Sequence, residues 1–326
     1  MLWADVMRVV AIYFVIAVHT SSLPTNLLDI KNSFFFLTSF TVVKVCVPLF
    51  IMLSGALLLG KQEPISSFLS KRVVKVLIPW LLWTLIYMMW NYTVHSYHPA
   101  NLSQWKYFFE LTFFSQLWFL PLIFSLYLVT PILRLFIPSM SKNQKLYLMV
   151  LWFLFVIIIP FFHTGTTFPR AEESGLVPVT FYYSGYYVLG YFLSTMKLPK
   201  NILRRSTGLL LIGIAITFIE LGLAKGPYLF DYFAPGIAVT SIGVFLMIIS
   251  VCKKYAKNNS LTRLVSSIGS ASLGIYILHG LIAEILRPIF PLLANTGYIY
   301  AFVLFGISYF FVYTFRKVPV LKILFP

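Results

Sequence analysis

Charge is what this sequence has least of: Asp, Glu, Lys and Arg make up 10% of its 326 residues, and only nine of them are acidic. A water-soluble domain carries about 25% charged residues, so a soluble enzyme is excluded at the outset. Cysteine is nearly absent as well. The two present, Cys46 and Cys252, fall in apolar segments at different depths, which argues against a disulfide framework. There is no glycine-rich phosphate loop, HExxH pair, Cys/His metal spacing or GxSxG elbow, and no metal is expected. Any chemistry must come from single side chains scattered over separate helices.

What is present is apolar: 60% of the residues are hydrophobic and 18% aromatic. Runs of about 18 to 25 residues, each enough to cross a hydrocarbon core of about 30 Å, recur at 3–23, 34–59, 76–94, 117–137, 146–163, 179–195, 207–224, 232–251, 270–289 and 298–315. They predict an all-α polytopic membrane protein of about ten transmembrane helices. With no soluble insertion, 1–326 reads as one integral membrane domain. If the N-terminus is cytoplasmic, about three quarters of the Lys and Arg residues fall on the inner side, the positive-inside pattern, and both termini are cytoplasmic. The formal net charge of +16 is then a one-sided property explained by topology and anionic lipid. It calls for the bilayer as a partner and for no nucleic acid. Oligomeric state leaves no signal in the sequence.

Against this background His19 stands out. It follows Arg8 by eleven residues and Asp5 by fourteen, offsets that bring all three within about 40° of one helix face. Between Arg8 and His19 the helix is almost entirely hydrocarbon, where polar groups are costly and usually line a functional cavity. Lys44, some ten residues into the second span, is expected at a matching depth. A lysine there must snorkel, pair, or line a wet cavity. Beside a neutral imidazole it would stabilise a developing oxyanion while the ring acts as base. Lys71, Arg72 and Lys75 form a compact basic edge where the third span enters the membrane, suited to an anionic soluble substrate. His279, mid-way along the ninth span, has a plain structural role available as a hydrogen-bond bridge to a neighbouring helix. Glu284 and Arg287, three residues apart, are spaced to pair with each other.

The prolines and loops add less. Pro48, Pro79, Pro121, Pro160 and Pro178 are expected to bend or end helices, because proline removes an amide donor. Residues 95–116 have Trp105, Phe108, Phe109 and Phe113 at helical spacing, which predicts a short interfacial helix. Residues 164–178 hold Arg170, Glu172 and Glu173 and are placed to cap an outward-facing cleft. On the residues alone three classes remain open. They are a histidine-dependent acyltransferase, a transporter or flippase of a lipid-linked sugar using His19 as proton relay, and a membrane subunit with no chemistry.

Six segments narrow the choice. DVMRVVAIYFVIAVHTS, KVCVPLFIMLSGALLLG, FLSKRVVKVLIPW, LWFLPLIFSLYLVTPILR, FYYSGYYVLGYFLS and SLGIYILHG, in this order and over nearly the whole chain, resemble the acyltransferase 3 family of integral membrane O-acyltransferases. The likeness is closest to its stand-alone members, such as those that act on enterobacterial common antigen. The resemblance implies transfer of an acyl group, usually acetyl, from cytosolic acyl-coenzyme A (acetyl-CoA or another acyl-CoA) to a hydroxyl of a surface glycan or its lipid-linked precursor. It also implies residence in the bacterial cytoplasmic (inner) membrane. By the same likeness His19 matches the catalytic first-helix histidine, as general base or acyl carrier. Lys44 and Tyr182 are candidates for oxyanion stabilisation, and Arg8, Lys71, Arg72, Lys75 and Arg134 for the coenzyme phosphates. Asp5, His279 and Glu173 are expected in supporting roles. The pantetheine arm is expected to run between the first, second and ninth spans, over the roughly 16 Å that separate Arg8 from His19 at 1.5 Å per residue.

Overall fold

The computed structural model describes residues 1–20, 34–96, 98–106, 108, 117–164, 176–223, 231–255 and 259–326. Among them every long element is a helix. The helices are α1 (Leu2–Thr20), α2 (Phe34–Val43), α3 (Cys46–Leu58), α4 (Ile65–Thr93), α5 (Phe119–Phe136), α6 (Lys142–Phe162), α7 (Leu176–Thr195), α8 (Ile202–Leu223), α9 (Pro235–Tyr255), α10 (Ser260–Ile289) and α11 (Tyr298–Phe315). Among the described residues nine spans are long and apolar enough to cross a membrane, with α2 and α3 counted as one. The remaining expected span, 179–195, is α7. It is 20 residues long and rich in tyrosine, and its Tyr183, Tyr186 and Tyr187 are buried. A helix enclosed by protein can carry hydroxyls that a lipid-facing one cannot, provided they are bonded. Tyr186 donates to the Tyr232 carbonyl at 2.6 Å and Tyr187 shares a 2.8 Å bond with Thr130.

The prolines act in two ways. Pro48, Pro79 and Pro160 lack the amide that would bond four residues back and crowd the carbonyl there, at Lys44, Lys75 and Val156. The chain leaves α-geometry at each of those places. A two-residue break at Lys44 and Val45 separates α2 from α3, and π-helical turns at Val73–Leu77 and Phe153–Ile158 interrupt α4 and α6. Pro121 and Pro178 instead lie in the first turn of α5 and α7, where an amide would have no intrahelical partner.

Around α1 are packed α3, α10 and α11, while α7 lies along α3, and α8 pairs with α9. The α3–α7 contact is made backbone to backbone. A Cβ on Gly55 would fall 1.7 Å from the Tyr187 carbonyl oxygen, and one on Gly190 1.9 Å from that of Met52, the close approach that small residues permit in membrane bundles. The chain after α11 folds back onto the bundle. Arg316 donates to the carbonyls of Phe325, Pro326 and Ser270, and the Trp83 indole donates to Leu324 at 3.0 Å. Residues 102–106 are helical, within the expected interfacial helix. Phe109 and Phe113 lie outside the described residues, as do Arg170, Glu172 and Glu173 of the expected cleft cap.

Gly55→Ala is expected to lower the stability of the detergent-purified protein by about 1–3 kcal/mol through overpacking. Gly208→Ala, where an added Cβ meets nothing within 4 Å, should leave the thermal transition in place. Coincident melting of wild type and Gly55→Ala would show that α3 and α7 have room to spare.

Candidate active site

Most of the described polar side chains singled out above fall into two groups at opposite ends of α1. At the end nearer the start of α1, Arg8 donates to Asp5 at 2.7 Å, and Asp5 accepts from Ser266 of α10 at 2.8 Å. That pairing is why Arg8 and Asp5 share a face. Nearby, the basic residues are distributed around a single acid. Glu63 accepts from Lys71 at 3.0 Å and from Arg134 at 3.4 Å. Arg134 also donates to the Leu58 carbonyl at 3.0 Å and stacks on Phe68 at 4.3 Å. Arg72 differs. Its guanidinium lies over Phe68 at 4.6 Å and Tyr127 at 5.4 Å, and it makes no ion pair with another described residue. Tyr127 is within electrostatic reach of both Arg72 and Arg8. Lys75 is exposed within the π-helical turn of α4.

The Lys71 hydrogen bond, followed by that from Arg134, holds the Glu63 carboxyl below the usual carboxylate range. A depressed acid contributes stability above its unfolded-state value and loses it as pH falls through the folded one. The sequence marks Glu63 only as a rare acid on the basic side. Its position eight residues before Lys71 was the available signal for a counter-ion.

At the other end lies a narrow cleft lined by Val15, Val18, His19, Cys46, Val47, Phe50, Trp118, Phe119, Tyr232 and Tyr276. His19 projects from the last turn of α1. Its ring keeps an exposed surface toward the cleft, although it sits deep among packed helices. Lys44 reaches the same place because Pro48 breaks the helix at that residue. Its ammonium stands 4.6 Å from the Tyr232 ring centroid and 5.8 Å from that of Phe40, and it acts electrostatically on His19. Val45, at φ −69° and ψ −3°, completes the break, and the Cys46 thiol points back to the Lys44 carbonyl at 3.9 Å. Both cysteines are free. Tyr232 is held in turn by the Tyr186 bond to its carbonyl and by Trp118, 5.7 Å away between ring centroids.

His279 joins this group. Its ring centroid is 5.4 Å from that of His19, it is buried, and its Nδ1 lies 2.6 Å from the Tyr276 carbonyl. A bridge between helices is therefore not what its Nδ1 makes, since that bond stays within α10. Tyr182 is not among the cleft residues. It packs edge to face on Phe233 at 6.3 Å, while Tyr232 and Tyr276 supply the aromatic walls. Nothing in the spacing of the sequence marked either tyrosine, because each comes from a different segment. Glu284 pairs not with Arg287 but with Trp90 at 2.7 Å and His95 at 3.3 Å, since both partners lie on the neighbouring α4 side. Among the described residues no cluster of three His, Cys, Asp or Glu side chains is arranged to hold a metal ion.

The structure thus brings together an imidazole at a cleft, an ammonium beside it, and a basic cluster at the far end of the same helix. A family model described as an acyltransferase domain, acyltransferase 3, matches residues 1–316, and the chain belongs to that family. No curated protein matches it, and no solved structure does.

Replacing Glu63 by Gln should destabilise the protein at neutral pH. The difference from wild type should shrink as pH falls below about 4.3, the ordinary glutamate value. Unfolding curves of the two proteins between pH 3 and 7.5 test this, and a gap that persists unchanged at the acid end would remove the ion pair from the account.

Proposed function

We propose that this acyltransferase moves an acyl group, acetyl in the first instance, from cytosolic acyl-CoA to a hydroxyl of a surface glycan or its lipid-linked precursor. The reading includes a bacterial inner-membrane location and an enzyme resembling those that modify enterobacterial common antigen. The observation that carries it is Lys44 set close to His19 and to the Tyr232 wall of the cleft, with the basic cluster at the opposite end of α1.

In this mechanism Arg72 is the first phosphate ligand, because its guanidinium is stacked in a fixed plane and is not neutralised by an acid. Lys75 is exposed and assists. Arg8, Lys71 and Arg134 can contribute only by sharing with Asp5 and Glu63. The thioester end of the donor reaches the cleft, where His19 takes the proton from the acceptor hydroxyl as general base. The hydroxyl oxygen attacks the thioester carbonyl, and the charge that develops on the carbonyl oxygen is met by Lys44. The carbon–sulfur bond then breaks, and the leaving thiolate takes the proton from His19. An acyl-histidine variant differs in one respect: the acyl group rests on His19 before the acceptor arrives, and a labelled adduct would accumulate in the absence of acceptor.

His19→Ala should lower transfer from acetyl-CoA to native-membrane glycans by about 10²–10⁴-fold with normal membrane insertion. Full activity in that variant would end this reading. Arg72→Ala should raise the KM for acetyl-CoA by about tenfold or more, the worth of one charge-assisted hydrogen bond, with little change in kcat. A KM equal to that of wild type would move the phosphate site elsewhere.

A further inference from the structure

We infer that Tyr87 is a positioning residue of this site, acting through His279; the inference rests on the acyltransferase reading given above. In a regular helix the Leu281 amide would bond to the Ile277 carbonyl. The Tyr87 hydroxyl, from α4, bridges the two ends of that rung. It donates to Ile277 at 2.8 Å and accepts from Leu281 at 3.1 Å. A side chain inserted into the i→i−4 ladder is a recognised cause of local helix deformation. The turn that it brackets has His279 at its centre. Tyr87 is itself buried, so this bridge is sheltered from water.

The consequence falls on one nitrogen. A carbonyl can only accept, so the 2.6 Å contact with Tyr276 puts the hydrogen of His279 on Nδ1. Nε2 is then a bare acceptor. It is buried and has no hydrogen-bond partner among the described residues, although buried polar atoms are nearly always paired. The neighbouring ring is His19, which makes no hydrogen bond to another described residue. A lone pair held beside the base is suited to receive an N–H of His19 once that ring has taken a proton, and so to fix its orientation, as the third group of a nucleophile–base triad does. Tyr87 supplies the register of that lone pair. It contacts neither donor nor acceptor.

The test uses the full-length protein in nanodiscs, with acetyl-CoA as donor and native membranes as the source of acceptor. Tyr87→Phe removes the bridge and keeps the ring. The expected result is a fall in kcat of about tenfold with the KM for acetyl-CoA unchanged within about twofold. The double variant Tyr87→Phe/His279→Ala should be no slower than His279→Ala alone, since Tyr87 then has nothing to position. A silent Tyr87→Phe, or effects that multiply in the double variant, would overturn the inference. His19→Ala separates the two levels of the argument: if it stays active the site reading itself fails, and if it is inactive while Tyr87→Phe matches wild type only the positioning role fails. A second measurement is independent of turnover. The chain has five histidines, and in 15N-histidine spectra the His279 signals, assigned by their loss in His279→Ala, should report a single Nδ1–H tautomer in wild type and shift in Tyr87→Phe. Unshifted His95 and His98 signals show that the variant is folded, and unshifted His279 signals refute the inference.

Discussion

A hydrocarbon interior offers a polar group nothing to bond to, and the architecture of this protein follows from how each such group is accommodated. Hydroxyls on the enclosed α7 are bonded to α5 and to the Tyr232 backbone. The buried indole of Trp83 finds the carbonyl of Leu324. At Pro48, Pro79 and Pro160 the chain leaves α-geometry one turn before the proline. The break caused by Pro48 is the most consequential of these, because it turns Lys44 toward His19 in place of lipid. Among the described residues His279 Nε2 is a buried nitrogen left without a hydrogen-bond partner, and such a group has something to gain from a ligand or a moving proton.

The positive charge is likewise divided by its partners. Asp5 and Glu63 pair with three of the cations near the start of α1, while Arg72 lies over aromatic faces. The two acids thus separate paired cations from Arg72 and Lys75, which make no ion pair with another described residue.

Much of this was legible in the sequence, and the limits are physical. Helix number follows from apolar run length, and the one span that departs from the pattern, α7, does so because protein encloses it. The shared face of Asp5, Arg8 and His19 follows from helical period. The meeting of His19 with Lys44 was an inference from depth that the fold realises. Tyr232, Tyr276 and Tyr87 were not legible, since each acts through a long-range contact with no periodic trace. The Glu284–Arg287 spacing misled for the opposite reason: local proximity was outcompeted by Trp90 of α4 and by His95, two residues beyond its end.

The glycine contact between α3 and α7 has a mechanical meaning. Two backbones touching through Gly55 and Gly190 leave no layer of side chains to slide or repack, so that flank of the cleft behaves as a stiff wall. Between α4 and α10 the links are side-chain bonds, from the Tyr87 hydroxyl to the Ile277 and Leu281 backbone and from the Trp90 indole to Glu284. Side-chain bonds can lengthen and re-form where touching backbones cannot, so the two contacts differ in how much movement they allow.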